Sequence, residues 1–233
     1  MTERRIKLSL VQRKIAQKMS ESKRIIPHVT TIREIRMDTV SQTREKLKQD
    51  LESQVGKLSF MPFIMKAVAD AIKEFPIINS SFVEENNEII IKEHINLGFA
   101  VAVDDDKLLV PVVKNVENMS FIELVKNVNE LVDKCRSGKI SPKDMQGSTF
   151  TITNSGAFGG EIFTPIINYP ESAILGIGRI QKKPIVDENG DIIACPMMYT
   201  CLSYDHRIIN GSTAVRFLVN IENNLRGMTY ETI

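Results

Sequence analysis

Apolar residues recur at spacings of three and four in some stretches and alternate with polar residues in others, and these two periods divide the chain into helices and strands. A first helix is expected from about Leu10 to Ser22, opened by Ser9 with Gln12 three residues later, the spacing of a capping box. A strand from about Val29 to Met37 alternates apolar and polar positions, and Asp38 is then placed to cap a helix reaching about Gln54. The run after Ser59 reads as a helix to about Phe75, with Pro62 tolerated in its first turn and Pro76 preventing its continuation. Two strands flank the turn Glu85 to Asn87, followed by the apolar run Leu97 to Val103 and a short strand from Leu108 to Val113. Ser120 and Glu123 make a second capping box, and the helix they open ends at Gly138, which suits a left-handed cap.

Strands dominate the rest of the chain. Thr149 to Asn154, Ala173 to Ile180 and Pro184 to Val186 precede an Asn189-Gly190 hairpin turn, after which Asp191 to Ala194 leads toward the strand Met197 to Tyr204. A last helix carries Val215, Leu218, Ile221 and Leu225 on one face. The order is mixed α/β, with flanking helices and without the regular alternation of a doubly wound fold.

Composition narrows the partners. The 233 residues, 42% hydrophobic, can bury one large core. Thirty Lys and Arg against 29 Asp and Glu leave no global basic field, so neither nucleic acid nor a membrane surface is expected as a partner. Cys135, Cys195 and Cys201 are odd in number and form no CxxC pair, which argues against a disulfide framework and a zinc site. With a charged start and no run near the roughly 18 apolar residues of a membrane span, a soluble cytoplasmic protein is expected.

The densest chemistry lies between the last strand and the last helix, where Asp205, His206, Arg207, Asn210 and Gly211 crowd the turn. A histidine at a strand's end can act as a base, while Asn210 or Ser212 can equally cap the helix and Gly211 relax the backbone. Other motifs fail. Gly156, Gly159 and Gly160 lack GxGxxG spacing, Glu84, Glu85 and Glu88 and the Asp104 to Asp106 run read as solvated turns, and His28 and His94 have no ligand-spaced partners, so no metal is expected.

The Asp205-His206-Arg207 triplet followed by Asn210-Gly211 resembles the DHRxxxG signature of the dihydrolipoamide acyltransferases, core subunits of 2-oxo acid dehydrogenase complexes; chloramphenicol acetyltransferases share a looser form. Pro27 to Thr30, Lys57 to Pro62, Leu109 to Val112, Thr149 to Asn154, Thr164 to Asn168 and Ala173 to Gly176 resemble the same family in order, from about Ile6 to Arg226. The resemblance implies a trimeric chloramphenicol acetyltransferase-like fold, with residues 1–24 an arm packing on a neighbouring subunit and 25–233 the catalytic domain. It implies acyl transfer between dihydrolipoamide and coenzyme A. A thiol with a pKa near 8.5 is only a few per cent ionised at neutral pH, so the transfer needs a base, and His206 fills that role.

Thr153 matches the hydroxyl that would stabilise the oxyanion, His206 of one subunit meeting Thr153 of the next, and Asn210 stands where many relatives carry aspartate. An amide there positions the imidazole by hydrogen bonding but cannot charge-stabilise it. Arg44, Ser59, Asp104 and Asn154 align with coenzyme A contacts. His28, in the Pro27 to Thr30 segment, borders the active site. The resemblance further implies trimers assembling into a cage with 2-oxo acid decarboxylase and dihydrolipoamide dehydrogenase partners, and a lipoyl group on a separate domain, since this chain carries no lipoyl domain. Leu175 to Ile180 is similar to acetyl-transferring relatives and Thr164 to Asn168 to succinyl-transferring ones; acetyl or branched-chain acyl groups are favoured. The alternatives are a catalytically weak cage scaffold and a coenzyme A-dependent small-molecule O-acetyltransferase.

Overall fold

Both capping boxes close, Ser9 with Gln12 opening α1 (Leu10–Ile25) and Ser120 with Glu123 opening α4 (Phe121–Arg136). Beyond α4, Gly138 takes a φ of 69°, the left-handed region a Cβ disfavours. The second helix, α2 (Asp38–Val55), starts differently: Met37 occupies the cap position without a side-chain bond, and Asp38 lies inside the first turn, paired with Arg36. α3 (Met61–Glu74) and α5 (Gly211–Gly227) complete the α-helices of the computed structural model, which describes residues 3–104 and 107–233.

A seven-stranded mixed sheet organises the chain. Its spatial order is β1 (His28–Arg36), β11 (Ile192–Asp205), β9 (Ala173–Ile177), β8 (Phe150–Asn154), β4 (Leu97–Phe99) and β7 (Val112–Val113), with β10 (Gln181–Val186) pairing the first half of β11. The β4–β8 and β8–β9 pairs are parallel and the others antiparallel. Two small hairpins stand apart, β2 (Ser80–Val83) with β3 (Glu88–Ile91), and β5 (Val101–Asp104) with β6 (Lys107–Leu109).

Three strand expectations change for local reasons. The run from Leu97 divides at Ala100, whose N–H makes the last bond of the β4–β8 ladder, to the Ile152 carbonyl, so β4 belongs to the main sheet and β5 to the hairpin. Pro111, with no N–H to give a ladder, separates β6 from β7. The two strands foreseen before the Asp205 turn are one: Pro196 keeps its place in the ladder opposite Lys182, and its carbonyl accepts the Met37 N–H at 2.9 Å.

Alternation along the strands sorts two faces. Ala173, Leu175, Ile177, Leu202 and Tyr204 pack with α2, α3, α4 and α5 in the main core. Ile174 points the other way, into a small cluster with Ile26 and Ile167. That second face is covered by the irregular segment 155–172: Phe163 lies against Gly176, where a Cβ would come within 2.6 Å of its ring.

Candidate active site

The turn that carries His206 is mounted on a buried anion. Asp205 is 2% exposed and its carboxylate accepts the Arg207 backbone N–H at 3.0 Å and Arg207 Nη2 at 2.7 Å. Arg207 in turn lies over the Phe82 ring, 4.5 Å from its centroid, and 3.8 Å from Glu84, so the β2–β3 hairpin steadies the mount. Removing one partner of such a buried pair leaves an uncompensated charge, a cost of about 3–5 kcal/mol. The Asp205 and His206 N–H groups donate to the Ser172 and Pro27 carbonyls at 2.8 and 3.2 Å. The imidazole itself is exposed, with its ring 5.8 Å from that of Tyr204.

Asn210 serves as the N-cap of α5, its Oδ1 accepting the Thr213 N–H at 2.9 Å and the Ser212 hydroxyl at 2.7 Å. With the carbonyl oxygen spent on both bonds, the amide can offer only its N–H donors outward. Gly211 has no special backbone angle, and a Cβ there would stand 3.7 Å from the Tyr204 hydroxyl, an ordinary contact, so close backbone approach does not explain this glycine.

Thr153 lies at the other end of the sheet. It pairs with Gly176, and Gly176 pairs with Cys201, five residues before His206. At about 3.3 Å per residue and about 4.8 Å per strand, Thr153 and His206 of one chain are roughly 19 Å apart. Thr153 is half-buried and shares the face of Thr151 and Gly176, away from the helices. Asn154, next along, faces the helices and borders two adjoining grooves of about 400 and 320 Å³ at the carboxyl ends of the parallel strands.

Arg44, Ser59 and Asn154 line the larger groove, together with Lys57 and Arg179 and apolar walls from Met61 and Ile64. The Asp104 side chain lies outside the described residues. Arg44 is held over the Phe60 ring, 4.8 Å from its centroid, with Nε donating to the Leu58 carbonyl at 2.8 Å. Asn154 Oδ1 accepts the Gly156 N–H at 2.8 Å, which leaves its amide N–H groups as donors. Cations above an apolar wall suit a ligand with phosphates and an alkyl arm. Gly156 and Gly178 serve crossing backbones and not a phosphate loop: a Cβ on Gly156 would lie 2.6 Å from the Arg179 nitrogen, and one on Gly178 would meet the Glu161 carbonyl. Among the described residues no group of three His, Cys, Asp or Glu could hold a metal ion.

The first of the groups the pattern did not announce is Glu171, 4% exposed, whose Oε1 accepts the Thr151 hydroxyl at 2.9 Å and the Asn168 amide at 2.6 Å while Oε2 has no partner. Burial outweighs those bonds and pushes its carboxyl up to about 7. Lys57, Arg179 and the buried, unpartnered Ser155 hydroxyl were also passed over; each is an ordinary residue until the fold assembles its neighbours.

Residues 1–230 match the family model of the 2-oxoacid dehydrogenases acyltransferase catalytic domain. The chain belongs to that family. This acyltransferase domain is 43% identical over 224 residues to the dihydrolipoyllysine-residue acetyltransferase component of the pyruvate dehydrogenase complex of Bacillus subtilis, covering 96% of the chain and 50% of the relative. The domain thus spans about half the length of the curated relatives it matches. Among solved structures it resembles Azotobacter vinelandii dihydrolipoamide acetyltransferase, studied for the catalytic role of a serine, a histidine and an asparagine, at a TM-score of 0.91 and 34% identity, covering 97% of this chain and 92% of that one. That histidine and asparagine are spaced as His206 and Asn210 are. The cubic core of a pyruvate dehydrogenase multienzyme complex matches with the same 0.91, 34%, 97% and 92%. A chloramphenicol acetyltransferase, 13% identical at a TM-score of 0.59 over 90% of this chain and 94% of that one, shares the fold.

Proposed function

We propose that the domain transfers an acyl group, acetyl first among candidates, between the thiols of dihydrolipoamide and coenzyme A. The observation that carries the reading is the Asp205 to Asn210 turn, an exposed imidazole on a rigid, charge-paired mount in a chain 43% identical to an acetyltransferase component. His206 takes the proton of the attacking thiol, whose sulfur adds to the thioester carbonyl, and returns it to the departing thiolate when the tetrahedral adduct collapses; no acyl-enzyme forms. General-base assistance of this kind contributes about 10²- to 10⁴-fold. Thr153 donates its hydroxyl to the oxyanion, and Asn210 turns its N–H donors toward the site.

With His206 and Thr153 at opposite ends of one chain, a working site takes the histidine from one subunit and the threonine from its neighbour, in a trimer that builds a larger cage. The exposed arm and first turns of α1, with Ile6 74%, Leu8 52%, Leu10 70%, Val11 53% and Ile15 46% accessible, supply an apolar face for that neighbour. The groove holds coenzyme A through Arg44, Lys57 and Arg179, with Ser59 and Asn154 beside them, and Asp104 is a further contact on the family reading. The acyl group arrives on a lipoyl domain, with the decarboxylase and dihydrolipoamide dehydrogenase as further partners in the cytoplasm. No described helix is long and apolar enough to cross a membrane.

The test is transfer from acetyl-, isobutyryl- and succinyl-coenzyme A to free dihydrolipoamide by the native protein and His206→Ala. The expected result is turnover with acetyl-coenzyme A, falling by about 10²- to 10⁴-fold in the variant. Near-native turnover by the variant would overturn the base assignment.

A further inference from the structure

His28 reaches two backbone groups with its two ring nitrogens. Nδ1 lies 2.9 Å from the Ile26 carbonyl, which can only accept, so Nδ1 carries the proton. Nε2 then accepts the Ile167 N–H at 3.0 Å. A neutral imidazole satisfies both contacts and an imidazolium cannot, because it has no acceptor left for Ile167. The two bonds enclose Pro27, whose carbonyl accepts the His206 N–H, and His28 itself stands opposite Asp205 in the β1–β11 ladder. On the other side Ile167 is fully buried and its carbonyl accepts the Ser22 hydroxyl at 2.6 Å, so the anchor is fixed to α1 as well.

We propose that His28, as the neutral Nδ1–H tautomer, is a positioning residue for His206: it clamps Ile26 to Ile167 and thereby sets the Pro27 carbonyl that holds the base-bearing turn. The charged groups facing it are Lys23 of α1, which disfavours a second proton, and Asp205 at the end of β11, which favours one but is engaged by Arg207. Protonating His28 breaks the Ile167 bond and loosens the turn, so turnover falls when His28 is charged. A displacement of about 1 Å at a reacting group can cost as much as 10²-fold, and the clamp acts at one remove, so the expected loss is smaller.

The proposal rests on His206 being the base, and the experiment keeps the two apart. Turnover against pH is measured for the native assembly, His28→Ala, His28→Asn and His206→Ala. Asn retains a donor for the Ile26 carbonyl but has no group to accept the second proton. His28→Ala is expected to lower kcat about tenfold with the KM for coenzyme A within about twofold, and His28→Asn to recover part of that loss. On the acid side native kcat carries an additional fall of about tenfold as His28 protonates, and both His28 variants lack it.

Hydrogen exchange supplies a readout independent of turnover: peptides covering residues 202–210 exchange faster in His28→Ala, and those covering α4 do not. Native kcat in His28→Ala, or the same additional acid-side fall in His28→Asn, would overturn the clamp even with His206→Ala inactive. Full activity in His206→Ala would overturn the base, and faster exchange of the turn in His28→Ala would still support the clamp.

Discussion

The two ends of the central sheet are built on opposite plans. At the His206 end every group is engaged from within: Asp205 by Arg207, His28 by Ile26 and Ile167, and Glu171 by Thr151 and Asn168, with only the imidazole turned outward. At the Thr153 end the strands run out into open grooves lined by Lys57, Arg179 and Arg44, side chains that face the space a ligand would fill. Buried titratable groups hold the first end and surface cations line the second. One end is therefore kept rigid by its own chain and the other is an open receptacle, and because they lie roughly 19 Å apart within a subunit, the proposed site takes them from two copies.

The sharpest way to break this contrast is to disable each end in a different subunit. Thr153→Val keeps the shape and removes the hydroxyl, and it should lower kcat by about 10²- to 10³-fold, as loss of one oxyanion donor does, while Thr153→Ser stays within about tenfold of native. Dissociated and reassembled together, Thr153→Val and His206→Ala subunits should regain activity, because about a quarter of randomly formed neighbour pairs carry an intact histidine facing an intact threonine. No recovery in reassembled particles of native size would show that both groups act within one chain and would dissolve the comparison.

The engaged end should also be the acid- and base-sensitive one. Glu171 ionises at about 7 in the folded chain against an ordinary 4.5, so its contribution to stability is present at low pH and is lost as pH rises through about 7. The difference of about 2.5 units corresponds to about 3 kcal/mol at most. His28 has the opposite sign: burial holds it below its ordinary 6.5, so stability is lost as pH falls below that value. Between about pH 5 and 7 the native urea midpoint should fall relative to that of Glu171→Gln, which keeps Oε1 as acceptor for Thr151 and Asn168, and above about 7 the difference should stay constant. A difference that does not change across that window would place the sensitive group elsewhere.

The engaged end was the more legible in sequence because its logic is local. Asp205, Arg207, Asn210 and Thr213 act within nine residues, so the turn, the ion pair and the cap follow from spacing, just as the Ser9 and Ser120 boxes do. The features that spacing did not disclose depend on distant neighbours. Glu171 is a surface-type residue made interior by segment 155–172, and Lys57, Asn154 and Arg179 meet only after β8, β9 and the start of α3 converge. The break at Ala100 is of the same kind, since it is decided by where Ile152 offers a carbonyl.

The receptacle end is tested most finely at Arg44. Its guanidinium is positioned three times, by the Leu58 carbonyl, the Phe60 ring and the Glu45 carboxylate, and its side chain is 19% exposed, so it reaches the groove already ordered. If that order is what a phosphate recognises, Arg44→Ala should raise the KM for coenzyme A about tenfold, near 1.4 kcal/mol, and leave kcat with saturating substrate within about twofold. Arg44→Lys separates charge from geometry: an ammonium keeps the sign but offers neither the planar fork nor the same seat over Phe60. A lysine variant as impaired as alanine identifies the held geometry as the contribution, and recovery of native KM identifies the charge alone. A loss confined to kcat in either variant would instead tie Arg44 to the chemistry, and the groove would no longer be a separate receptacle.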